Sequence, residues 1–481
     1  MNVLFWSPSP ISDDQVYLFP TYNNDSVPPS AGPVLVPLLS REHQVTYLDN
    51  TLAVNCTAEL MEQIQRHDVL CVSIPQFTSY PSVRQIIRQA GGRVPTIAGG
   101  PFATHNARWL CEDGIDFVVR GEGEETLPEL LRRLESREPV GNVLGITYRQ
   151  NGTVLSTADR PYVEMDEIPF PDYDLLPPGM TYTFLGLETS RGCPYDCTFC
   201  NILYHRALRS MSPERVLEGI RHVERHVHKR TRSGLYLLDS NLTYNSRRLA
   251  HLADRLGEYV EQPLKIGCST SLQFCTPARN KQMARAGFVW VNAGLEVGYA
   301  DGHRAIHKAV PDDVYRIIRD LEENGIMCLA TFILGLPHET PTEVMQTVRY
   351  IQALYKAFSN VICLVFSYRA ETARSYEEFQ SFSTMEKVAQ GVVLPTFSQE
   401  IRERIFLAAL LLYNSKVGFD RMGEQDEILG YFDEVEPLLA NLFSAKELTV
   451  PAWFAEEAVG DSVQGYYHYL RRYSKAIRFA T

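Results

Sequence analysis

The sequence predicts an α/β protein in three parts: an open doubly wound domain over residues 1–136, a partial (βα)6 TIM-type barrel over 183–374, and a mostly helical C-terminal cap over 375–481. Three observations carry that prediction. Short β-branched runs alternate with amphipathic helical stretches in two separate series, and a proline-rich segment at 137–182 parts them. After residue 374 the strand pattern stops and helical periodicity takes over. At 481 residues and 45 % hydrophobic, the chain is long enough to bury two or three cores.

The first series reads as five strands: "NVLFWSP" (2–8), "QVTYLDN" (44–50), "DVLCVSIP" (68–75), "VPTIAGG" (94–100) and "DFVVRGEGE" (116–124). Helical stretches such as "TAELMEQIQR" (57–66) and "SVRQIIRQAG" (82–91) lie between them. Near-continuous apolar strands imply a parallel sheet covered on both faces, with ligand beyond the carboxyl ends of the strands. "GITYRQNGTVLST" (145–157) reads as a hairpin turning at Asn151-Gly152. The following "IPFPDYDLLPPGM" is too rich in proline for a helix or central strand, so 137–182 is expected to be a linker.

The second series has six strands: "FLGLETS" (184–190), "GLYLLDS" (234–240), "LKIGCST" (264–270), "VWVNAGLEVG" (289–298), "MCLATFILGLP" (327–337) and "VICLVFSY" (361–368). One intervening helix opens on an N-cap serine in "SPERVLEGIRHVERHV". Six βα units fall two short of a closed barrel, and the site of such a fold lies at the strand C-termini.

Composition excludes several classes. A formal net charge of −12 disfavours nonspecific nucleic-acid binding. The longest apolar run, "IFLAALLLY" (405–413), is too short to span a bilayer, so no membrane association is expected. The start "MNVLFWSPSP" lacks a signal-peptide pattern, which makes the cytoplasm the expected compartment. Disulfides are rare there, and clustered cysteines then point to metal or redox chemistry. Seven cysteines (56, 71, 111, 268, 275, 328 and 363) sit singly among apolar neighbours and read as buried small hydrophobes.

The other three, Cys193, Cys197 and Cys200, occupy "ETSRGCPYDCTFCN" at spacing C-x3-C-x2-C, just past the first barrel strand. Three thiolates do not complete a structural zinc site, and a redox pair would leave Cys193 unused. A [4Fe–4S] cluster normally takes four thiolates, and three leave one iron open for a substrate or cofactor. Gly192 and Pro194 suit a closely wrapped loop. Two histidine groupings were also weighed. His222, His226 and His228 read as a solvated helix face, and His303 and His307 read as candidate pocket lining.

"RGCPYDCTFCN" resembles the cluster loop of the radical S-adenosylmethionine (SAM) superfamily. The resemblance implies that Cys193, Cys197 and Cys200 ligate three irons and that SAM chelates the fourth. "LDSNLT", "GLEVG", Lys308 of "AIHKAV" and "FILGLPHET" are similar to the corresponding barrel segments. On that basis Asp239 and Ser240 are expected at the SAM amine, and Ser269 and Glu296 at its ribose or methionine part. The structural alternatives are that Asp239–Ser240 caps the next helix and that Glu296 pairs with a barrel lysine or arginine.

"SIPQFTSYPSVRQ", "IAGGPFATHNARWL" and "GIDFVVRGEGEETLPELL" resemble the Rossmann-like cobalamin-binding domain fused upstream of many such enzymes. The resemblance implies cobalamin contacts at Ser73, Gly99, Gly100 and Glu122. The D-x-H-x-x-G motif is absent and no histidine precedes His43, so no histidine lower ligand is expected from the loop after the first strand. A scaffold domain without ligand is the alternative.

Together the two resemblances imply a cobalamin-dependent radical SAM enzyme that methylates an unactivated carbon of a small metabolite or natural-product intermediate. A small-molecule substrate and an external electron donor such as flavodoxin or ferredoxin come with that reading. Its rivals are a radical rearrangement or cyclisation without methyl transfer, and a non-catalytic cofactor-binding module. The methylthiotransferase branch normally has a second cysteine set, and Cys56, Cys71 and Cys111 do not occupy the corresponding strand-end loops.

Overall fold

The computed structural model describes residues 1–8, 28, 30–50, 57–75, 79–200, 202–336, 339–367, 437, 447–449 and 478–480. The first sheet contains β1 (Asn2–Ser7), β2 (Gln44–Asp49), β3 (Val69–Ser73), β4 (Thr96–Gly99), β5 (Phe117–Val119), β6 (Ile146–Gln150) and β7 (Thr153–Ser156), in spatial order 2-1-3-4-5-6-7. Strands β1 to β5 are mutually parallel, and the order reverses at β1 and β3. Alternation along each strand serves both faces. Leu4, Trp6, Leu70 and Val72 enter one core, while Val3, Phe5, Val69 and Cys71 enter the other.

The expected hairpin forms, with Asn151 and Gly152 at φ 51° and 78°, the positive pair that a tight two-residue turn requires. Its place differs from expectation. β6 pairs antiparallel with β5, so the hairpin completes the first sheet and is not part of a linker. The guanidinium of Arg120 fixes it by donating to the carbonyl of Thr157 at 2.7 Å and to the Thr147 hydroxyl at 2.8 Å. Without the hairpin, the three-residue β5 would be an open edge. The rest of the connection is ordered too. Met165, Ile168, Tyr173 and Leu176 are buried in the core of the second sheet, and the Tyr173 hydroxyl donates to the Gly186 carbonyl.

The second sheet starts with β8 (Tyr182–Leu187). A two-residue ladder of β9 (Ser190–Arg191) with β10 (Arg209–Ser210) follows it. Then come β11 (Thr231–Leu237), β12 (Ile266–Thr270), β13 (Phe288–Glu296), β14 (Met327–Leu334) and β15 (Val361–Ser367). All six long strands are parallel, in order 8-11-12-13-14-15. Among the described residues β8 and β15 remain edges, so the barrel is open, as six units predict. Helices Pro213–Arg230, Ser246–Tyr259, Pro277–Arg285, Val314–Glu323 and Pro341–Ala357 are the crossovers between them. The first begins as expected, with the Ser212 hydroxyl accepting from the Arg215 N–H at 3.3 Å and proline at the first turn.

On the concave side Phe184, Tyr236 and Trp290 form an aromatic layer with Leu329 and Leu364. Gly267 makes that layer possible, because a Cβ there would lie 1.9 Å from the Trp290 ring.

Three expectations need adjustment. Within the helix carrying the three histidines, His226 is buried, not solvated, because it stacks edge-on to Tyr173 at 6.2 Å; His222 and His228 are exposed. Most of the expected helical cap at 375–481 lies outside the described residues. Those described within it include an antiparallel pair, β16 (Glu447–Thr449) with β17 (Arg478–Ala480), so strand is present where none was read. Of the seven scattered cysteines, six are buried as expected and Cys56 lies outside the described residues.

Substituting Gly267→Ala should lower unfolding stability by about 1–3 kcal/mol through overpacking against Trp290. Urea denaturation of the two proteins measures it, and an unchanged midpoint would contradict the packing described.

Candidate functional site

The cysteine loop leaves β9 at Arg191 and returns through β10 at Arg209. Several ties shape it between those points. Gly192 adopts φ 87°, and a Cβ there would sit 2.1 Å from the Ala207 carbonyl, so only glycine lets the two arms of the loop meet. The Cys193 N–H donates to the Tyr204 carbonyl at 3.0 Å, and the Cys200 N–H to the Cys197 carbonyl at 3.1 Å. The His205 ring nitrogens lie 3.2 Å from the carbonyls of Tyr195 and Cys200. From the barrel side, the Ile306 carbonyl accepts from the Thr198 N–H at 3.1 Å, and the His307 carbonyl from the Cys197 thiol at 3.7 Å.

Burial pushes the Cys193 and Cys197 thiols up in pKa, and the Lys308 ammonium pulls both back. Lys308 is partly buried, its side chain 15 % exposed, and stands 3.2 Å from the Glu296 carboxylate. Burial works against its charge, yet Glu296 and the neighbouring thiols hold its pKa above the ordinary lysine value. Glu296 adopts φ 66°, and Gly294 leaves the room its carboxylate needs, since a Cβ there would fall 1.9 Å from Oε1. A strained backbone thus sets a largely buried ion pair beside the cysteine loop.

Beyond the carboxyl ends of both sheets lies one cavity of about 490 Å³. The first domain contributes Ser73, Gly99, Gly100 and Glu122, and the second contributes Glu188, Ser190, Tyr204 and Ser240. The two glycines differ. Gly100 is demanded by the fold, with φ 103° and a Cβ position 2.9 Å from the Ile74 carbonyl. Gly99 is not: its nearest neighbour would be 3.9 Å away, so the missing side chain leaves open space on the cavity wall.

A charged network seals the seam. Arg191 meets Glu122 at 3.1 Å, Glu124 at 2.5 Å and Glu188 at 2.8 Å, and Arg209 also binds Glu122. Burial opposes the charge of Arg191, but the carboxylates of Glu188, Glu124 and Glu122 raise its pKa beyond the ordinary range. Burial also raises Glu188, with Arg191 opposing.

The predicted residues therefore have distinct placements. Ser73, Gly99, Gly100, Glu122 and Ser240 share the cavity. Glu122 does so with its carboxylate already committed to Arg191, Arg209 and the Val163 N–H at 2.7 Å. Asp239 does not line the cavity. It is fully buried, accepts from the Thr189 N–H at 3.1 Å and hydroxyl at 2.6 Å, and pairs with Arg248. Its carboxylate does not cap the next helix but ties the ends of β8 and β11 together. The Ser269 hydroxyl lies 2.5 Å from the Tyr236 hydroxyl. Glu296 takes the expected structural alternative, a lysine partner. His303 and His307 are absent from the described cavity wall, and His303 instead meets the Leu295 carbonyl at 2.8 Å.

Sequence reasoning missed the seam residues Glu188, Ser190, Arg191 and Tyr204. "ETSRGC" contains three of them, but nothing in spacing marks a partner about seventy positions away.

The model of the radical SAM superfamily matches residues 187–351, and that of the B12 binding domain matches residues 29–131. The chain carries a radical SAM domain and a B12 binding domain. An uncharacterized methyltransferase of Pyrococcus horikoshii, PH0819, is 29 % identical over 345 residues, 68 % of this chain and 73 % of that protein. The hopanoid C-3 methylase of Methylococcus capsulatus is 33 % identical over 38 % of this chain and 37 % of its own length. The fold resembles the radical SAM methyltransferase TsrM of Kitasatospora setae, with TM-score 0.60 and 16 % identity over 78 % of this chain and 75 % of that one.

This radical SAM enzyme, by its two domains, uses a [4Fe–4S] cluster, SAM and cobalamin. Its own residues fit those groups. Among the described residues no three His, Cys, Asp or Glu side chains converge on a single ion. A cluster asks for something else, with each thiolate on its own iron. On the cavity wall Gly99 leaves open space where a ligand can approach the backbone.

Two measurements test this geometry. Asp239→Ala strands Arg248 without its counter-charge and should cost about 3–5 kcal/mol of stability; calorimetric unfolding with unchanged Tm would contradict the tie. Past β14, Glu339 is buried with its pKa raised to about 7 by burial, while the N–H groups of Gly335 and Leu336 favour its charged form. Its folded pKa lies above its unfolded value, so the folded state holds its proton longer. Stability should fall by about 3 kcal/mol as pH rises from about 4.5 to 7. Glu339→Gln should remove that part of the slope in chemical denaturation across this range.

Proposed function

We propose that this protein methylates an unactivated carbon of a small metabolite or natural-product intermediate. The observation that carries the reading is the single cavity at which the strand C-termini of a B12-binding sheet and a radical SAM sheet meet. When bound, the cofactors supply a methyl donor from cobalamin and a hydrogen-abstracting deoxyadenosyl radical from SAM and the reduced cluster. The likeness to a hopanoid C-3 methylase and to the radical SAM methyltransferase TsrM supports it.

In this reading Cys193, Cys197 and Cys200 hold the cluster, and Lys308 supplies a partly buried positive charge beside it. Ser240, and Ser269 and Glu296 farther along the rim, face SAM. Ser73, Gly99 and Gly100 receive cobalamin, and Arg191 holds the loop and the first domain in register. Holding two reactants in one enclosure is itself a large rate factor. An external reductant such as flavodoxin or ferredoxin and a cytoplasmic setting belong to the same proposal; no described helix is long and apolar enough to cross a membrane.

A second reading, ring closure, rests on one comparison. The anaerobic magnesium-protoporphyrin IX monomethyl ester cyclase of Cereibacter sphaeroides is 28 % identical over 53 % of this chain and 44 % of its own length.

The test is anaerobic. Reconstituted protein is incubated with dithionite as reductant, hydroxocobalamin and methyl-labelled SAM, and both 5′-deoxyadenosine and the label in the corrin fraction are measured. Methylation predicts both signals. Deoxyadenosine without corrin label favours ring closure, and neither signal overturns both readings. Each of Cys193→Ala, Cys197→Ala and Cys200→Ala should reduce bound iron and abolish deoxyadenosine formation.

A further inference from the structure

We infer that the rim after β11 and β12 is where an acidic, one-electron carrier protein docks to deliver its electron to the cluster at the cysteine loop. This rests on the proposed external reductant and assigns that partner a surface.

Aromatic rings join the loop to the exterior. Tyr195 stands between Cys193 and Cys197, and its N–H hydrogen-bonds the Cys193 sulfur. Its ring stacks on Phe274 with centroids 6.4 Å apart, and its hydroxyl accepts from the Gln273 amide. Phe274 meets Tyr244 edge-on at 5.3 Å. Tyr244 is 44 % exposed, one of five large apolar or aromatic side chains among the described residues that stand so far into solvent. An open aromatic face therefore lies one backbone hydrogen bond and two ring contacts from a cysteine sulfur.

The charge around that face is one-sided. Residues 264–286 contain Lys265, Arg279, Lys281 and Arg285 and no carboxylate, in a chain of formal net charge −12. The Arg279 guanidinium lies 5.6 Å from the centre of the Phe274 ring. Arg247 stands three residues beyond Tyr244, on the helix Ser246–Tyr259 that packs beside Pro277–Arg285. Arg247 and Lys281 are exposed, and among the described residues neither has a carboxylate partner. Nearby acids are already engaged, Asp196 by Arg206 and Asp254 by Arg285.

Position sets these cations apart from others on the molecule. Arg247 and Arg279 occupy first turns, and neither helix has an acidic residue there. The helix dipole disfavours cations at that end and favours them at the other, where Lys229 and Lys356 sit. First-turn cations of other helices are offset by a carboxylate: Arg108 by Glu112, Arg215 by Glu218 and Arg316 by Asp313. Arg247 and Arg279 have no such offset, so their charge is turned outward. A ring of cations about an aromatic centre complements an acidic protein that presents a planar redox group. Electron-transfer encounters are small and charge-steered, which this patch suits. The carrier is oxidised by one electron and the cluster reduced by one, with no bond made between the proteins.

The experiment is anaerobic stopped-flow reduction of the reconstituted full chain by flavodoxin hydroquinone, an acidic one-electron donor, followed by cluster absorbance across a salt series. Wild type is compared with Arg247→Glu/Lys281→Glu and with Lys229→Glu/Lys356→Glu, which reverses the same charge at the opposite helix ends. Iron per chain and the rate of reduction by dithionite are measured for each. The wild-type rate should fall as salt rises. Reversal at the rim should slow reduction by flavodoxin about tenfold at low salt and flatten the salt dependence. Iron content, the dithionite rate and the opposite-end variant should stay as in wild type. Equal flavodoxin rates for the rim variant and wild type overturn the surface, and so does an equal fall in the opposite-end variant. In both cases the protein reductant stands, whereas wild type reduced by dithionite but not by flavodoxin overturns that reading and this inference together.

Discussion

The site depends on the ion pairs of Arg191. This one guanidinium stands at the root of the cysteine loop and meets carboxylates from both domains, Glu122 and Glu124 from the first and Glu188 from the second. Burying such charges is costly, and their mutual attraction often does little more than offset the desolvation. The network therefore acts mainly on position. It fixes where the start of helix Gly123–Ser136 stands relative to the end of β8, and so where the two sheets face each other across the cavity. Arg209 repeats the device from the returning arm of the loop, binding Glu122 and donating to the Val163 carbonyl at 2.7 Å.

Around that hub the backbone is built with little tolerance. Gly192 admits no side chain because the arms of the loop touch, and Gly294 admits none because the Glu296 carboxylate fills the space. The positive φ of Glu296 is uncommon for a residue other than glycine, and its pairing with Lys308 shows what holds it there. Strain and close approach gather on the rim of the second sheet, beside the cysteines, while the strands below follow ordinary alternation. A rigid sheet carrying a strained rim suits a loop that must present three thiols in fixed relation.

Most of the fold was legible because burial leaves a periodic trace. Strands β1 to β5 and the six barrel strands appear within a few residues of their expected places. Pairing leaves no such trace: the hairpin at 146–156 was visible, but its union with β5 depends on register with a strand more than twenty residues earlier. The same limit applies to charge. Asp239 and Glu122 were legible as site-adjacent acids, yet their partners Arg248 and Arg191 are chosen by the fold. The cysteine cluster stands out in the sequence for the opposite reason, because its spacing is local.

The titratable groups near the cavity point to the kind of chemistry this site supports. Glu122 and Glu124 are locked by arginine, Asp239 by Arg248, and Glu296 by Lys308. No histidine is among the described residues that line the cavity, and His303 is held by a backbone carbonyl. General acid–base catalysis needs a group free to exchange its proton within reach of substrate, and these side chains are engaged elsewhere. Hydrogen-atom abstraction asks for something different: an enclosed space, fixed distances and few mobile protons. The described wall offers apolar side chains and carboxylates already committed to arginine. The charged residues here hold the loop and the two domains in register, and the bond-making is left to the cofactors.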